Sequence, residues 1–306
     1  MKTKQPLFVI SITFVFLIAC QALTAPFTNE NSAPIQTQET ISQPTIVLTT
    51  IEAPNSSAAI PQVEMVLIPE GEFIMGRDDT NLEVGPSHTV YLDAYYIDKY
   101  EVTNSQYRTC VGANVCESPS KKHSHTRENY FDNPEFDSYP VIYINWDMAK
   151  AFCEWRGGHL PTEAQWEKAA RGTDGRTYPW GEEEPMDETQ TFGNFKYEGY
   201  KMDLQGFDGN TVPVGSYEKG VSPFGAYDMI GNVYEWVADW FSATYYQTSP
   251  ASNPLGPENG ECIYQSGACK VMRGGAWLFP YTSWARIESH PSSASGDVGF
   301  RCTRTP

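Results

Sequence analysis

An α+β fold in one domain, with little regular secondary structure, is what this sequence predicts. Three observations carry it. Glycine (24), proline (22), tyrosine (18) and tryptophan (8) are abundant in 306 residues, a mixture that makes many turns and packs them on aromatic rings. Only three segments carry paired helix start and stop signals, and they follow short apolar, strand-like runs. No internal repeat of solenoid length is present.

The amino terminus reads as an address. Lys2 and Lys4 precede an apolar run from Leu7 to Ala19, too short to span a bilayer, so residues 1–19 form a secretory signal. The run ends in Leu17-Ile18-Ala19-Cys20, which resembles a bacterial lipobox, with Cys20 as the lipidated first residue of the mature chain. Cleavage there removes two lysines and no acid, taking the net charge from −17 to −19. Residues 20–62 are rich in Thr, Ser, Pro and Gln with few large apolar side chains. That composition cannot bury a core and predicts a disordered tether, reaching a few tens of Å at ~5–6 Å × √n. The folded part, 63–306, starts near Val63.

The elements of that part follow in order. "VEMVLIPEGEFIMGR" (63–77) is apolar on both sides of Pro69-Glu70-Gly71, which reads as a hairpin. "HTVYLDAYYIDKYEVT" (88–103) reads as strand running into a helix. Thr103 and Gln106 form a capping box there, with Gly112 as the stop. "SYPVIYINWDMAKAFCEWRGG" predicts a short strand, Asn145 as N-cap, a helix, and Gly157-Gly158 as terminator. Thr162 and Gln165 box a third helix that Gly172 ends. Beyond Thr173 the chain reads as turns, short strands and aromatics.

Six cysteines follow Cys20, and an even number in an exported chain implies disulfides. Cys110/Cys116 and Cys262/Cys269 could each close a short loop, leaving Cys153 and Cys302 to pair by default. A metal pair at Cys262/Cys269 is disfavoured by its wide spacing and the lack of a nearby histidine. The acidic balance, pI near 4.6, argues against a nucleic-acid partner, which needs a basic face. His123 and His125, in the charged segment "KKHSHTREN", read as solvated loop rather than a metal site.

Several pieces stand in one order: "MVLIPEGEFIMG", "YYIDKYEVTNSQY", "GHLPTEAQWEKAARG", "YPWGEE", "GAYDMIGNVYEWVADW", "MRGGAW" and "GDVGFRC". Together they resemble the formylglycine-generating enzyme family, also called the sulfatase-modifying factor family, over roughly Val63 to Arg304. The resemblance implies a variant of the C-type-lectin fold and a disulfide between Cys153 and Cys302. It also implies structural Ca2+ at Asn232, Val233 and Glu235, where an amide, a backbone carbonyl and a carboxylate supply hard oxygen ligands. The alternative for that stretch is a turn with Asn232 left-handed and Glu235 in a salt bridge. A second family calcium site would begin at Asn194 and Phe195 and take Asp208 or Asp203.

"RGGAWLFPYTSW" (273–284) begins like an active site. The family uses two thiolates beyond its Arg-Gly-Gly-Ser motif to hold Cu(I), a soft ion that takes sulfur ligands, and oxidises the cysteine of a Cys-x-Pro-x-Arg peptide with O2. Those thiolate positions fall here on Phe279 and Trp284, and the serine on Ala276. Copper and the family's formylglycine synthesis are therefore not expected. Trp277, Phe279, Tyr281, Trp284, Arg286 and His290 instead suggest an aromatic cleft for a peptide, a glycan or a cell-surface protein. A binding or scaffold module ranks first. The alternatives are an oxidoreductase working through a different site, for which His290 and Asp297 alone do not make an iron triad, and a structural partner in a surface complex.

Overall fold

A computed structural model describes residues 62–78, 84–185, 192–195, 210–278 and 282–306. The proposed signal, Cys20 and almost all of the tether lie outside these residues, as do Phe279, Tyr281, Asp203 and Asp208. The three helices form where their caps place them: α1 (Asn104–Gly112), α2 (Trp146–Trp155) and α3 (Glu163–Arg171). In α1 and α3 the threonine hydroxyl accepts from the glutamine N–H, and the glutamine carbonyl accepts from the threonine N–H. Asn145 caps α2 by accepting from Met148 N at 2.9 Å. One stop differs. Gly112 is still helical, and the left-handed residue that ends the turn is Asn114, at φ 57°.

The expected hairpin at 63–77 is corrected. β1 (Met65–Ile68) pairs with β4 (Tyr95–Asp98), and β2 (Gly71–Met75) pairs with β3 (His88–Leu92), both antiparallel. Ile68 faces Tyr95 and Gly71 faces Leu92, so the register is continuous across Pro69-Glu70. The two arms form one long ribbon interrupted at a shared corner. Proline supplies no ladder donor, which interrupts pairing without reversing the chain. The short strand expected before α2 is reduced to a single bridge, Thr103 to Pro140.

The carboxyl-terminal half supplies β5 (Tyr234–Trp240), β6 (Lys270–Arg273), β7 (Ile287–Ser289), β8 (Val298–Phe300) and β9 (Thr303–Arg304). They give a four-stranded sheet in the order β7-β6-β5-β8, with β5 and β8 parallel, while β9 joins the edge of β4. β5 is buried on both faces. Tyr234 and Trp236 point into a core with Tyr107, Phe152 and Phe300, and Val237 points into a second core with Phe73, Tyr95, Trp166 and Phe241. That two-fold alternation makes β5 the partition of the fold.

All three disulfides form as paired in the sequence: Cys110–Cys116, Cys153–Cys302 and Cys262–Cys269. Among the described residues no helix is long and apolar enough to cross a membrane.

Candidate functional site

Helix α3 sits in the core, and unusually it carries charge there. Glu163, Glu167, Lys168 and Arg171 are all buried. Burial of charge is tolerable only when every group is paired, and here the pairs reach into the Arg-Gly-Gly segment. Arg273 donates through Nη1 to Glu163 at 2.9 Å and through Nη2 to Glu167 at 2.6 Å. Glu167 also accepts from Arg171 and from Gly76 N, both at 2.7 Å. Burial alone would raise the Glu167 pKa, but Arg273 and then Arg171 outweigh it and hold the carboxyl below its ordinary value. The double glycine after Arg273 serves packing. A Cβ on Gly274 would come within 3.3 Å of both Met229 O and the Trp166 ring.

The residues expected to line an aromatic cleft are not gathered into one. Arg286 is a core residue: it grips Glu163 with Nε at 2.7 Å and Nη2 at 2.9 Å, and stacks on Tyr246 at 4.3 Å. Trp277 is buried beside the His125 ring, 5.8 Å away. Trp284, half-buried, lies under the guanidinium of Arg77 at 4.7 Å. His290 is exposed, with Nδ1 on Ser292 Oγ at 2.7 Å. Among the described residues these four have four different settings. Phe279 and Tyr281 lie outside the described residues.

The thiolate question has a direct answer for the described cysteines, since all six are in disulfides.

Asn232 and Glu235, expected to ligate calcium, are both engaged within the protein. Asn232 is left-handed, at φ 59°. Its carbonyl oxygen accepts from Asn194 Nδ2 and Val212 N, and its amide donates to Glu101 Oε2 at 2.6 Å. Asn194 Nδ2 also reaches Asn210 O, and Phe195 is a buried ring in line with Trp180. The Asn232 carboxamide is thus engaged within the protein. Glu235 is fully buried and receives Arg301 Nε and Nη2, each at 2.6 Å, and Trp166 Nε1 at 2.8 Å. That is the alternative drawn from the sequence, a left-handed turn with a salt bridge.

Two further acids come with it that the motif did not point to. Glu101 accepts from Val233 N, and Asp228 accepts from Gly215 N. Burial pushes Asp228 up to about 6. Burial, with Asp228 and Glu235 nearby, raises Glu101 well above the usual carboxylate range. Three buried carboxylates therefore share one guanidinium, an excess of two negative charges if all ionise. They are not drawn together at ligand distance, and among the described residues no three His, Cys, Asp or Glu side chains form a ready metal cluster. The donor chemistry of Glu101, Asp228 and Glu235 nevertheless fits a divalent cation, through hard oxygens and the excess charge. Asp228 stands among apolar residues in "AYDMIGN", where an acid between hydrophobic neighbours was the available signal; the mixed "KYEVTN" around Glu101 offered none.

The model of the sulfatase-modifying factor enzyme 1-like domain matches residues 50–306. The formylglycine-generating enzyme of Thermomonospora curvata is 32% identical over 294 residues, covering 79% of this chain and 93% of its own. The inactive C-alpha-formylglycine-generating enzyme 2 of Bos taurus is 28% identical, covering 78% of this chain and 87% of its own. Among solved structures, PvdO from Pseudomonas aeruginosa superposes with a TM-score of 0.62 at 27% identity, over 80% of this chain and 95% of its own.

Proposed function

Because the chain belongs to the sulfatase-modifying factor family yet has all six described cysteines in disulfides, we propose that it is a binding or scaffold domain without copper-dependent formylglycine synthesis. What supports this reading is Trp284, an indole under Arg77 at a position where the family resemblance would put a thiolate. Two arginines near that position, Arg273 and Arg286, hold the core together through Glu163 and Glu167 and are not poised toward a substrate. A relative whose name marks it as inactive lends the reading support.

Three disulfides are compatible with an oxidising, extracytoplasmic compartment. The proposal adds that Cys20 is lipidated and anchors the domain to a membrane through the 20–62 tether. The occupant would be a peptide, a glycan or a cell-surface protein met beyond that tether. A structural Ca2+ belongs to the same proposal. Glu101, Asp228 and Glu235 would hold it, with the carbonyl of Val233 beside them, and it would supply the counter-charge that Arg301 alone does not.

The test incubates the full chain with Cu(I), O2 and a Cys-x-Pro-x-Arg peptide, and reads peptide mass and bound metal. Unchanged peptide and no bound copper are expected. An aldehyde product would overturn the proposal and restore an oxidoreductase working through another ligand set.

A further inference from the structure

Of the large apolar side chains exposed among the described residues, only Ile263 and Tyr264 are neighbours in sequence. They are 41% and 80% exposed. A single exposed apolar residue needs no explanation, but two presented side by side do. Both stand on the loop that the Cys262–Cys269 disulfide closes.

That loop is fixed at its base. Cys269 is fully buried, and its carbonyl accepts at 2.8 Å from the N–H of Phe241, the residue after β5. The Phe241 carbonyl accepts in turn from Glu261 N at 2.9 Å, so both legs of the loop meet at one residue. Gln265 Nε2 reaches Cys269 Sγ at 3.2 Å. On edge strand β7, the Glu288 carboxylate accepts from the backbone N–H of Ile263 and, at 2.9 Å, from that of Tyr264. These anchors hold the backbone and leave the two side chains outside. A surface held in this way has little freedom left to lose on binding, and tyrosine adds a large contact area with few rotatable bonds.

The charge around the loop selects the partner. Glu288 is bonded to the loop, Glu261 directly precedes Cys262, and Glu258 is exposed three residues before Glu261. No lysine or arginine occurs between Lys219 and Lys270. Lys270 itself is buried, with its ammonium 4.0 and 3.8 Å from the ring centres of Trp146 and Trp240. The His290 ring flanks the loop at Gly267, where a Cβ would lie 3.7 Å from it. A second copy of this chain fits poorly, because its formal charge is −17 and a symmetric contact would set these acids against themselves. Anionic lipid headgroups meet the same repulsion. A basic, apolar segment is attracted on both counts.

We propose that the 262–269 loop is a docking tip, at which Ile263 and Tyr264 receive a peptide segment that combines lysine or arginine with large apolar side chains. The proposal rests on the binding role given above and assigns it a place and a ligand chemistry.

A phage library of random short peptides is the probe, panned on the full-length wild-type chain and on Ile263→Ser with Tyr264→Ser. The disulfide and the backbone anchors are untouched, so the two chains should melt alike; if the double variant melts lower, Tyr264→Ala alone is the comparison. Wild type should enrich peptides that pair Lys or Arg with Leu, Phe or Trp. A selected peptide, resynthesised, should bind the variant roughly tenfold or more weakly. Its binding to wild type should weaken as salt rises from ~0.05 to ~0.5 M. No enrichment, or enrichment of acidic or uncharged peptides, would overturn the proposal. Wild-type dimers, or sedimentation with anionic vesicles, that the variant loses would give the tip to a second copy or to a bilayer and overturn it too. Equal peptide binding to both chains would remove this site while leaving a binding domain, and the copper assay tests the lost chemistry separately.

Discussion

Replacing Glu167 by glutamine removes one charge from the centre of the molecule and almost nothing else. Glu167 is fully buried and takes Arg273, Arg171 and Gly76 N. A glutamine fills the same volume and can still accept from Gly76, but it leaves the buried Arg171 guanidinium with backbone carbonyls and Arg273 sharing Glu163 with Arg286. Breaking a buried pair from one side costs ~3–5 kcal/mol, because the remaining charge keeps its desolvation penalty. For a domain of this size 1 kcal/mol moves Tm by ~2–4 °C, so the variant should melt roughly 6–20 °C lower. Acid titration adds a second signature. The folded Glu167 pKa lies below its ordinary value, so its contribution is complete above the unfolded pKa and is lost as pH falls through the folded one. The variant should lack that acid component. Thermal and urea unfolding between pH 3 and 7 measure both, and a loss below ~1 kcal/mol would refute the claim that the α3–Arg273 pairing organises this core.

Asp239, pushed up to about 7 by burial and by Glu163, should act with the opposite sign. Its contribution is complete below the ordinary aspartate value and lost as pH rises through about 7, so Asp239→Asn should gain stability relative to wild type between pH 5 and 8 in urea titrations. Adding Ca2+ should raise Tm, and Glu101→Gln with Asp228→Asn should remove the rise; a melt indifferent to both calcium and chelator would dismiss the cation. Cys153 and Cys302 are 149 residues apart and Cys262 and Cys269 only 7. On chain-entropy grounds, replacing the first pair by alanine should cost ~5 kcal/mol and the second ~2–3, and equal losses in urea would contradict that account.

Much of the local structure was legible because its causes are local. Thr103, Asn145 and Thr162 cap their helices with hydroxyls or amides three residues from the N–H they satisfy, so the signal and the structure share one short window. The hairpin at 69–71 misled for the complementary reason. A Pro-Glu-Gly break looks the same in sequence whether the chain reverses or only bends, and the choice lies with β3 and β4, more than fifteen residues away. In sequence Arg286 is ambiguous, because an arginine among aromatics fits a cleft and a core equally well. Only the position of Glu163, 123 residues distant, assigns it to the core.

By itself the amino-acid sequence determined the family, the three helices with their caps, and the even set of cysteines. These rest on residue identity and short spacing, which need no partner from elsewhere in the chain. The tertiary structure decided what each charge is for. It took Arg273 and Arg286 into a buried network with helix α3, set Asn232 in a turn, and brought Glu101 and Asp228 to Glu235 and Arg301. The physical reason is that a buried charge is defined by its counter-charge, and for Arg273, Arg286 and Arg301 the two come from segments 66 to 123 residues apart.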